Sequence, residues 1–418
     1  MNIAGVILNF LFAMIAGNNY GSAVWGQFTI CLTVLQIAGV ICRIGLDTLI
    51  IRFAAEEHSK NIGKVKDIYI KAASIIFVAS SFVFCILFFL SDVIAIKVFN
   101  NAEISAQLKI TALAIIPMNL LFLNSETMKG IKFPAASSFF RNASNWVIAF
   151  PLLFFATYFF KKELITEIYV AAVILSWLAS VLFLLKFISF FKTVRVIWMN
   201  YKSIIKQGIP MMLSNSLIYL MVWIDTLMLG IFRTEAEVGI YNIAFRISMF
   251  LTLSYVAITA IAAPEFATYN SKSDRDGLQN AIGKANRLIF WTTFPAALAI
   301  ILFSTPILGV FGNEFSEGSI ALLLLITGRF FFSLSGSRGI ILAMIGKQNV
   351  DQYISMTIVV IDIILNLIFI PLWGINGAAF STMVTTIIWT IITVVYLRKA
   401  MKINALYIPF LGKFLEIK

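Results

Sequence analysis

Apolar runs follow one another from residue 3 almost to the end of the chain, and charged residues fall mostly in the short gaps between them. A spanning helix needs about 20 apolar residues. The 418 residues therefore hold about a dozen spans and leave no room for a separate polar domain. The runs lie at about 2–17, 23–50, 69–93, 107–128, 137–158, 166–188, 207–231, 238–265, 286–312, 319–344, 353–371 and 376–397. They are rich in Leu, Ile, Phe, Val and Ala, with Gly and Pro inside them as membrane helices allow. Composition agrees: 12% of residues are charged and the mean hydropathy is +0.94, against roughly 25% charged in a soluble domain. The expected fold is an all-α integral membrane protein of about 12 transmembrane helices. The first run, Ile3 to Ala16, is short for a span and has no basic segment before it, so it is expected to be a retained span rather than a signal peptide.

Orientation follows from the basic residues. The gaps after even-numbered runs, together with the C-terminal tail, carry 22 Lys and Arg, and those after odd-numbered runs carry 4. The positive-inside rule then places both termini in the cytoplasm. This distribution also explains the net charge of +12 without invoking nucleic acid, because the basic residues do not gather on one soluble face. Cys31, Cys42 and Cys85 sit in apolar runs with no CxxC spacing and are expected to be small buried hydrophobes. His58 is the single histidine; no metal site or cofactor is expected.

The chain repeats itself. Pairing Gly26 with Gly239 brings Phe28 onto Tyr241 and Phe53–Ala54 onto Phe266–Ala267. Met128-Lys-Gly130 then matches Met344-Ile-Gly346, and Ile148-Ala-Phe-Pro151 matches Ile368-Phe-Ile-Pro371. The offset drifts only from 213 to 220. Two six-helix lobes related by a parallel pseudo-repeat are expected: 1–190, then a cytoplasmic linker at 191–206, then 207–418 including the tail.

The run Asp225 to Gly230 (DTLMLG), the segment 238–246 (VGIYNIAFR) and the segment 361–379 (IDIILNLIFIPLWGINGAA) resemble the second-half signature of polysaccharide and O-antigen flippases. These belong to the multidrug/oligosaccharidyl-lipid/polysaccharide exporter superfamily. The resemblance extends over nearly the whole chain from about Tyr20 and departs at the short first helix. It implies alternating-access transport of a lipid-linked (polyprenyl-pyrophosphate) oligosaccharide from the cytoplasmic to the outer leaflet, for surface polysaccharide or O-antigen assembly. It further implies a bacterial inner (cytoplasmic) membrane location, contact with membrane lipids, coupling to a proton or sodium ion, and other polysaccharide assembly proteins as partners.

Ionisable groups at membrane depth cost several kcal/mol and usually face a cavity or a partner. Arg43 and Asp47 are four residues apart and share a helix face; they read equally as a structural ion pair or as site residues. Arg246, Arg329 and Arg338 outnumber the nearby acids Asp225 and Asp362. Guanidinium groups clamp phosphate oxygens in a two-pronged way, so the substrate-binding candidates are Arg329, then Arg246, with Arg43 and Arg338. Arg329 and Arg338 lie on opposite helix sides, about 14 Å apart along a helix. Arg338 leans toward pairing with Asp225, Asp362 or helix-end carbonyls. Asp225, Asp362, Asp47 and Glu126 are the coupling or structural acids, and Asn366 stands one turn from Asp362. Lys71 and Lys109, nearer span ends, are expected to snorkel.

An enzyme such as a sugar polymerase or ligase would need convergent acids and bases at a wet face. The outer gaps are short and no GxSxG, HExxH or phosphate loop is present. A drug or metabolite exporter of the same superfamily shares the fold. A cationic drug would favour acidic cavities, so the excess of arginine points to an anionic cargo.

Overall fold

The computed structural model describes residues 3–57, 61–160, 163–187, 200–407 and 409. His58 and most of the expected linker and tail lie outside the described residues. Every regular element among the described residues is helical. In chain order these are α1 (Ile3–Arg43), α2 (Leu46–Glu57), α3 (Ile62–Phe89), α4 (Ser91–Lys97), α5 (Ile104–Ala112), α6 (Ile115–Gly130), α7 (Pro134–Asn142), α8 (Ser144–Phe155), α9 (Ile165–Phe187) and α10 (Tyr201–Phe232). There follow α11 (Glu235–Ser248), α12 (Leu251–Ser271), α13 (Arg275–Leu302), α14 (Ser304–Gly309), α15 (Ser319–Ser333), α16 (Arg338–Met344), α17 (Gln348–Trp373) and α18 (Ile375–Met401). Among the described residues nine helical stretches are long and apolar enough to cross a membrane, and ten if the bent pair α5–α6 is one span. The chain is a multi-pass membrane protein.

Several expected spans are broken rather than continuous. The gap expected at 18–22 is helical on both sides of Gly21, whose φ of 83° and ψ of 177° interrupt α1; glycine takes that conformation without a Cβ clash. The span expected at 23–50 turns at 44–45, between α1 and α2. The span around 107–128 bends by 45° between α5 and α6. The span at 319–344 opens over 334–337, between α15 and α16. Breaks at membrane depth persist only where other groups take up the freed backbone. Here Asn286 Oδ1 accepts from the Ser337 backbone N–H at 3.2 Å and from its hydroxyl at 2.6 Å, while Tyr407 N–H donates to the Leu334 carbonyl at 2.8 Å.

The chain divides into two compact units, Met1–Ile231 and Phe232–Lys418. That division falls one helix later than the expected 191–206 linker. In the first unit α10 packs at both ends. Gly208 lies against the Ile44 carbonyl, and Gly230 lies against Ile30 and Phe99. The core of that unit joins α2, α3, α6 and α9 through residues such as Leu49, Phe53, Ile68, Leu123 and Leu184. The second core joins α12, α13, α16 and the α18 end through Phe266, Ile282, Ile341 and Leu397. Outward faces carry Phe82, Ile261 and Leu372, all exposed, as lipid contact requires. Cys31 and Cys42 are buried as expected, whereas Cys85 lies on an exposed face.

Neither lysine expected to snorkel does so alone. Lys71 is buried and pairs with Asp67 at 2.7 Å, one turn away on α3. Lys109 reaches back to both Asp92 carboxylate oxygens at 3.0 Å. The Ser105 hydroxyl, which donates to the same carboxylate, and Lys109 together hold Asp92 below the usual carboxylate range.

Candidate functional site

A cavity of the first unit gathers cationic, amide and aromatic side chains. Helix α1 brings Asn9, Gln36 and Arg43 to it, α6 brings Met118 and Phe122, and the α7–α8 junction brings Arg141, Asn142, Asn145 and Trp146. Tyr169 of α9 and Trp223 of α10 complete the wall of a cavity of about 450 Å³. Among the described residues that line it, the charged ones are Arg43 and Arg141. The rest are amides, aromatic rings and a few small or apolar groups. Trp146 packs on Tyr169 with ring centroids 5.6 Å apart, which fixes the aromatic wall. Asn145 contributes a buried side-chain oxygen with no hydrogen-bond partner among the described residues, an acceptor suited to a hydroxyl.

The guanidinium groups are held from the other side. Arg43 donates through Nε to Asp47 at 3.3 Å and through Nη1 to Asn119 Oδ1 at 2.9 Å. Asn119 in turn donates to Ser80 at 2.9 Å. The expected Arg43–Asp47 pair therefore forms, across the turn at 44–45, and Arg52 pairs with Glu56 instead. Glu126, 2% exposed, pairs with Arg141. Phe122 lies between the two cations, 4.5 Å from the Arg43 guanidinium and 5.2 Å from that of Arg141. Residues 119, 122 and 126 fall at helical spacings of three and four, so one face of α6 supplies all three. Asp47 and Glu126 themselves line a neighbouring cavity of about 460 Å³ with Lys129, Ser137 and Arg141. The carboxylates thus face one cavity and the guanidiniums reach the other. Cations stacked on a ring and anchored by buried acceptors are oriented in advance for an anion.

The second unit places Arg246, Arg329, Arg338 and Asp362 in three groups. Arg246 donates to Asn242 at 2.7 Å on α11, and the Arg329 guanidinium of α15 lies 5.6 Å from the Phe245 ring centroid. Arg329 thus meets α11 at Phe245, the residue next to Arg246 in sequence. Gly328 lets α15 approach α18 closely, since a Cβ there would stand 3.0 Å from Met383 Cα. Arg338, expected to pair with an acid or a helix end, is instead 2% exposed and stacked on Phe332 and Trp389 at 4.1 and 5.0 Å. Its two terminal nitrogens have no hydrogen-bond partner among the described residues; the rings, together with Tyr255 and the nearby Asp351, supply the cation's surroundings. Asp362, 4% exposed, accepts from Thr385 at 3.0 Å and from Asn366 at 3.3 Å. Asp225 is buried in α10 of the first unit. No group of three or more His, Cys, Asp or Glu suited to a metal occurs among the described residues.

Sequence reasoning missed Arg141, counted as a gap cation, and with it Asn119, Asn142, Asn145, Trp146 and Trp223. The available signal was the short turn 131–133 between α6 and α7. It makes a hairpin in which an acid and a base, each within about ten residues of the turn, meet.

Comparison with known proteins gives the following. A family model described as polysaccharide biosynthesis protein matches residues 1–269, and the MatE model matches 210–368. The chain is 28% identical over 190 residues to the probable low-salt glycan biosynthesis flippase Agl15 of Haloferax volcanii, covering 45% of this chain and 40% of that protein. It is 26% identical over 186 residues to the probable flippase AglR of the same organism, covering 43% and 38%. The matched region thus spans less than half the length of these relatives. Among solved structures, an inward-facing multidrug resistance MATE family transporter of the MOP superfamily matches with a TM-score of 0.80, 13% identity, and 95% and 94% of the two chains covered. The lipid II flippase MurJ in an inward closed conformation matches with a TM-score of 0.76 at 15% identity, covering 95% and 86%. These two establish the fold.

Proposed function

The chain belongs to the polysaccharide biosynthesis protein family, and from that premise we propose that it is a non-enzymatic flippase for a lipid-linked (polyprenyl-pyrophosphate) oligosaccharide. The observation that carries this reading is the 450 Å³ cavity whose charged lining is Arg43 and Arg141. A pyrophosphate crossing a low-dielectric region needs fixed cations, and guanidinium groups supply two-pronged donors. Sugars need hydroxyl partners and flat apolar faces; Asn9, Gln36, Asn142, Asn145, Trp146 and Trp223 offer both. Arg329, which lies over Phe245, and Arg246, next to Phe245 in sequence, are proposed as further anion-binding cations. An exporter of organic cations is disfavoured because no carboxylate lines this cavity among the described residues.

Twelve spans in two sets of six remain the preferred count, with alternating access between them. The order of elements supports the repeat. A long helix α3, a short α4, a broken α5–α6, then α7–α8 and α9 correspond to α13, α14, α15–α16, α17 and α18. A cytoplasmic membrane location, cytoplasmic termini and O-antigen or other surface polysaccharide as the product complete the proposal. Asp362 with Thr385 and Asn366 forms a group of hard oxygen ligands, the chemistry of a sodium or proton coupling site.

The test removes one of the two cavity cations without leaving a buried charge alone. In proteoliposomes the double variant Arg141→Gln/Glu126→Gln should insert normally yet lose translocation of a fluorescent polyprenyl-pyrophosphate oligosaccharide. Translocation at the unaltered rate would refute the cargo assignment.

A further inference from the structure

Arg338 opens α16, a seven-residue helix set between the break at 334–337 and the turn at 345–347. It is buried among the Phe332 and Trp389 rings, and neither of its terminal nitrogens has a hydrogen-bond partner among the described residues. The Ser335 hydroxyl and the Trp389 Nε1 are also buried there without partners. Ring faces attract a cation but accept no hydrogen bond from a carboxylate's share of donors, so the guanidinium keeps its capacity for an acceptor. The acid placed to supply one stands across the turn. Asp351 lies in the first turn of α17, and its Oδ2 is 3.9 Å from the place that a Cβ on Gly339 would occupy. The carboxylate is thus turned back onto α16 beside the residue that follows Arg338, where glycine leaves it a clear approach. The ionisable groups that act on Arg338 are Tyr255, a phenol, and Asp351. Asp362, further along α17, is engaged by Thr385 and Asn366, and Lys347, one turn before Asp351, is exposed. Arg338 and Asp351 therefore act on each other across the hairpin without a hydrogen bond from either terminal nitrogen. In the first unit, by contrast, Arg141 and Glu126 are joined across the α6–α7 hairpin.

We propose that Arg338 and Asp351 are the two parts of a conformational latch on the α16–α17 hairpin. In the conformation described here the latch is open and the guanidinium rests on Phe332 and Trp389. In a second conformation α16 rolls between its two turns, Arg338 leaves the rings, and its terminal nitrogens pair with the Asp351 carboxylate. The turn at 345–347 permits the roll, since it carries Gly346 at a φ of 76° with nothing within 4 Å of its Cβ position. The two positions of the cation compete because a buried guanidinium without an acceptor is costly, and so is the desolvation of a second charge to meet it. An acid in the first turn of α17 also favours that helix end whether or not Arg338 reaches it, so the test follows the arginine. The inference rests on the chain being a transporter with more than one conformation and not on the identity of its cargo.

The experiment places 5-fluorotryptophan in the full chain in nanodiscs and follows the fluorine resonance of Trp389, assigned by its loss in Trp389→Phe. Arg338→Met supplies the reference position for a ring without its cation. In the natural chain the resonance should report both positions of Arg338, as two lines or as one averaged line. Asp351→Asn keeps the shape of the side chain and removes the latch, so the Trp389 signal should move away from the Arg338→Met position, toward a ring that is always stacked. An unchanged signal, or a move toward the Arg338→Met position, would overturn the latch. In proteoliposomes Asp351→Asn and Arg338→Met should each slow translocation about tenfold, and the double variant should slow it about tenfold as well. A double variant slowed about a hundredfold would mean separate roles and would also overturn it. Should Arg338→Met fail to accumulate, the Asp351→Asn spectrum decides by whether it differs from that of the natural chain. A natural chain that translocates no lipid-linked oligosaccharide would end the cargo reading alone, because the spectrum still decides the latch.

Discussion

A guanidinium buried in an apolar span must be compensated, and this chain compensates its arginines in three different ways. Arg43 is paired and hydrogen-bonded, Arg338 is enclosed by Phe332 and Trp389, and Arg329 lies over Phe245. The first arrangement anchors a cation and the second stabilises one. The third places Arg329 against α11, and its proposed role toward cargo is open to test. Arg329→Ala is expected to abolish translocation while the protein still accumulates in the membrane. Arg329→Lys should recover part of it, because lysine keeps the charge but loses the planar pair of donors. Surface polysaccharide display measured beside membrane protein level reads both. Full display from a well-accumulated alanine variant would remove Arg329 from the transport path.

At the scale of elements, the breaks carry the polar architecture. Residues 402–407 leave the end of α18 and are held along α13. Asn404 and Gln279 exchange two hydrogen bonds at 2.9 and 2.7 Å, and Asn286 donates to the Ala405 carbonyl at 2.6 Å. Ala405 is fully buried. Asn286, 1% exposed, therefore joins this segment to the α15–α16 break through Ser337. Replacing it leaves a backbone carbonyl and a backbone N–H without their partner, at about 1–3 kcal/mol each. Asn286→Ala should lower the melting midpoint in detergent and speed hydrogen exchange over 402–407, whereas Gln279→Ala, at a less buried position, should do so less. Unchanged exchange in Asn286→Ala would show that the segment is held by packing alone. The same logic operates at the end of α17. Arg233 donates to the Ile370 and Pro371 carbonyls at 3.0 and 2.8 Å, adding a donor to helix-end acceptors of which Ile370 also receives the Gly374 N–H at 2.9 Å.

At the scale of the whole molecule, the proposed orientation rests on the basic-residue asymmetry. Several of the residues counted as gap cations lie within helix ends, as Lys64 and Lys66 in α3 and Lys202 and Lys206 in α10. Snorkelling from a terminal turn leaves such charges on the same side, so the orientation argument keeps its sign. Reporter fusions at the C-terminus should be active only in the cytoplasm; activity of an exported reporter there would invert the topology. The linker expected near Arg195 to Met199 lies outside the described residues, and its tolerance to insertion remains a proposal of the two-lobed reading.

Hydropathy along the chain was enough to determine the class of fold, because a bilayer tolerates only segments that satisfy their own backbone and hide few charges. The same signal located the buried charges, and i,i+4 spacing correctly joined Arg43 to Asp47. The breaks at 44–45 and 334–337 fall at the polar interruptions RIGLD and LSGSR, which hydropathy averaged over a whole run passes over, and at the second break distant residues such as Asn286 and Tyr407 take up the freed backbone. Nor was Arg141 legible as part of a site. A cation near the end of one span reads as a gap residue until the α6–α7 hairpin turns it onto Glu126. Which charges meet, and which cavity each one faces, depends on how helices pack and where they bend. Those are properties of contacts between segments far apart in sequence, and local hydropathy carries no record of them.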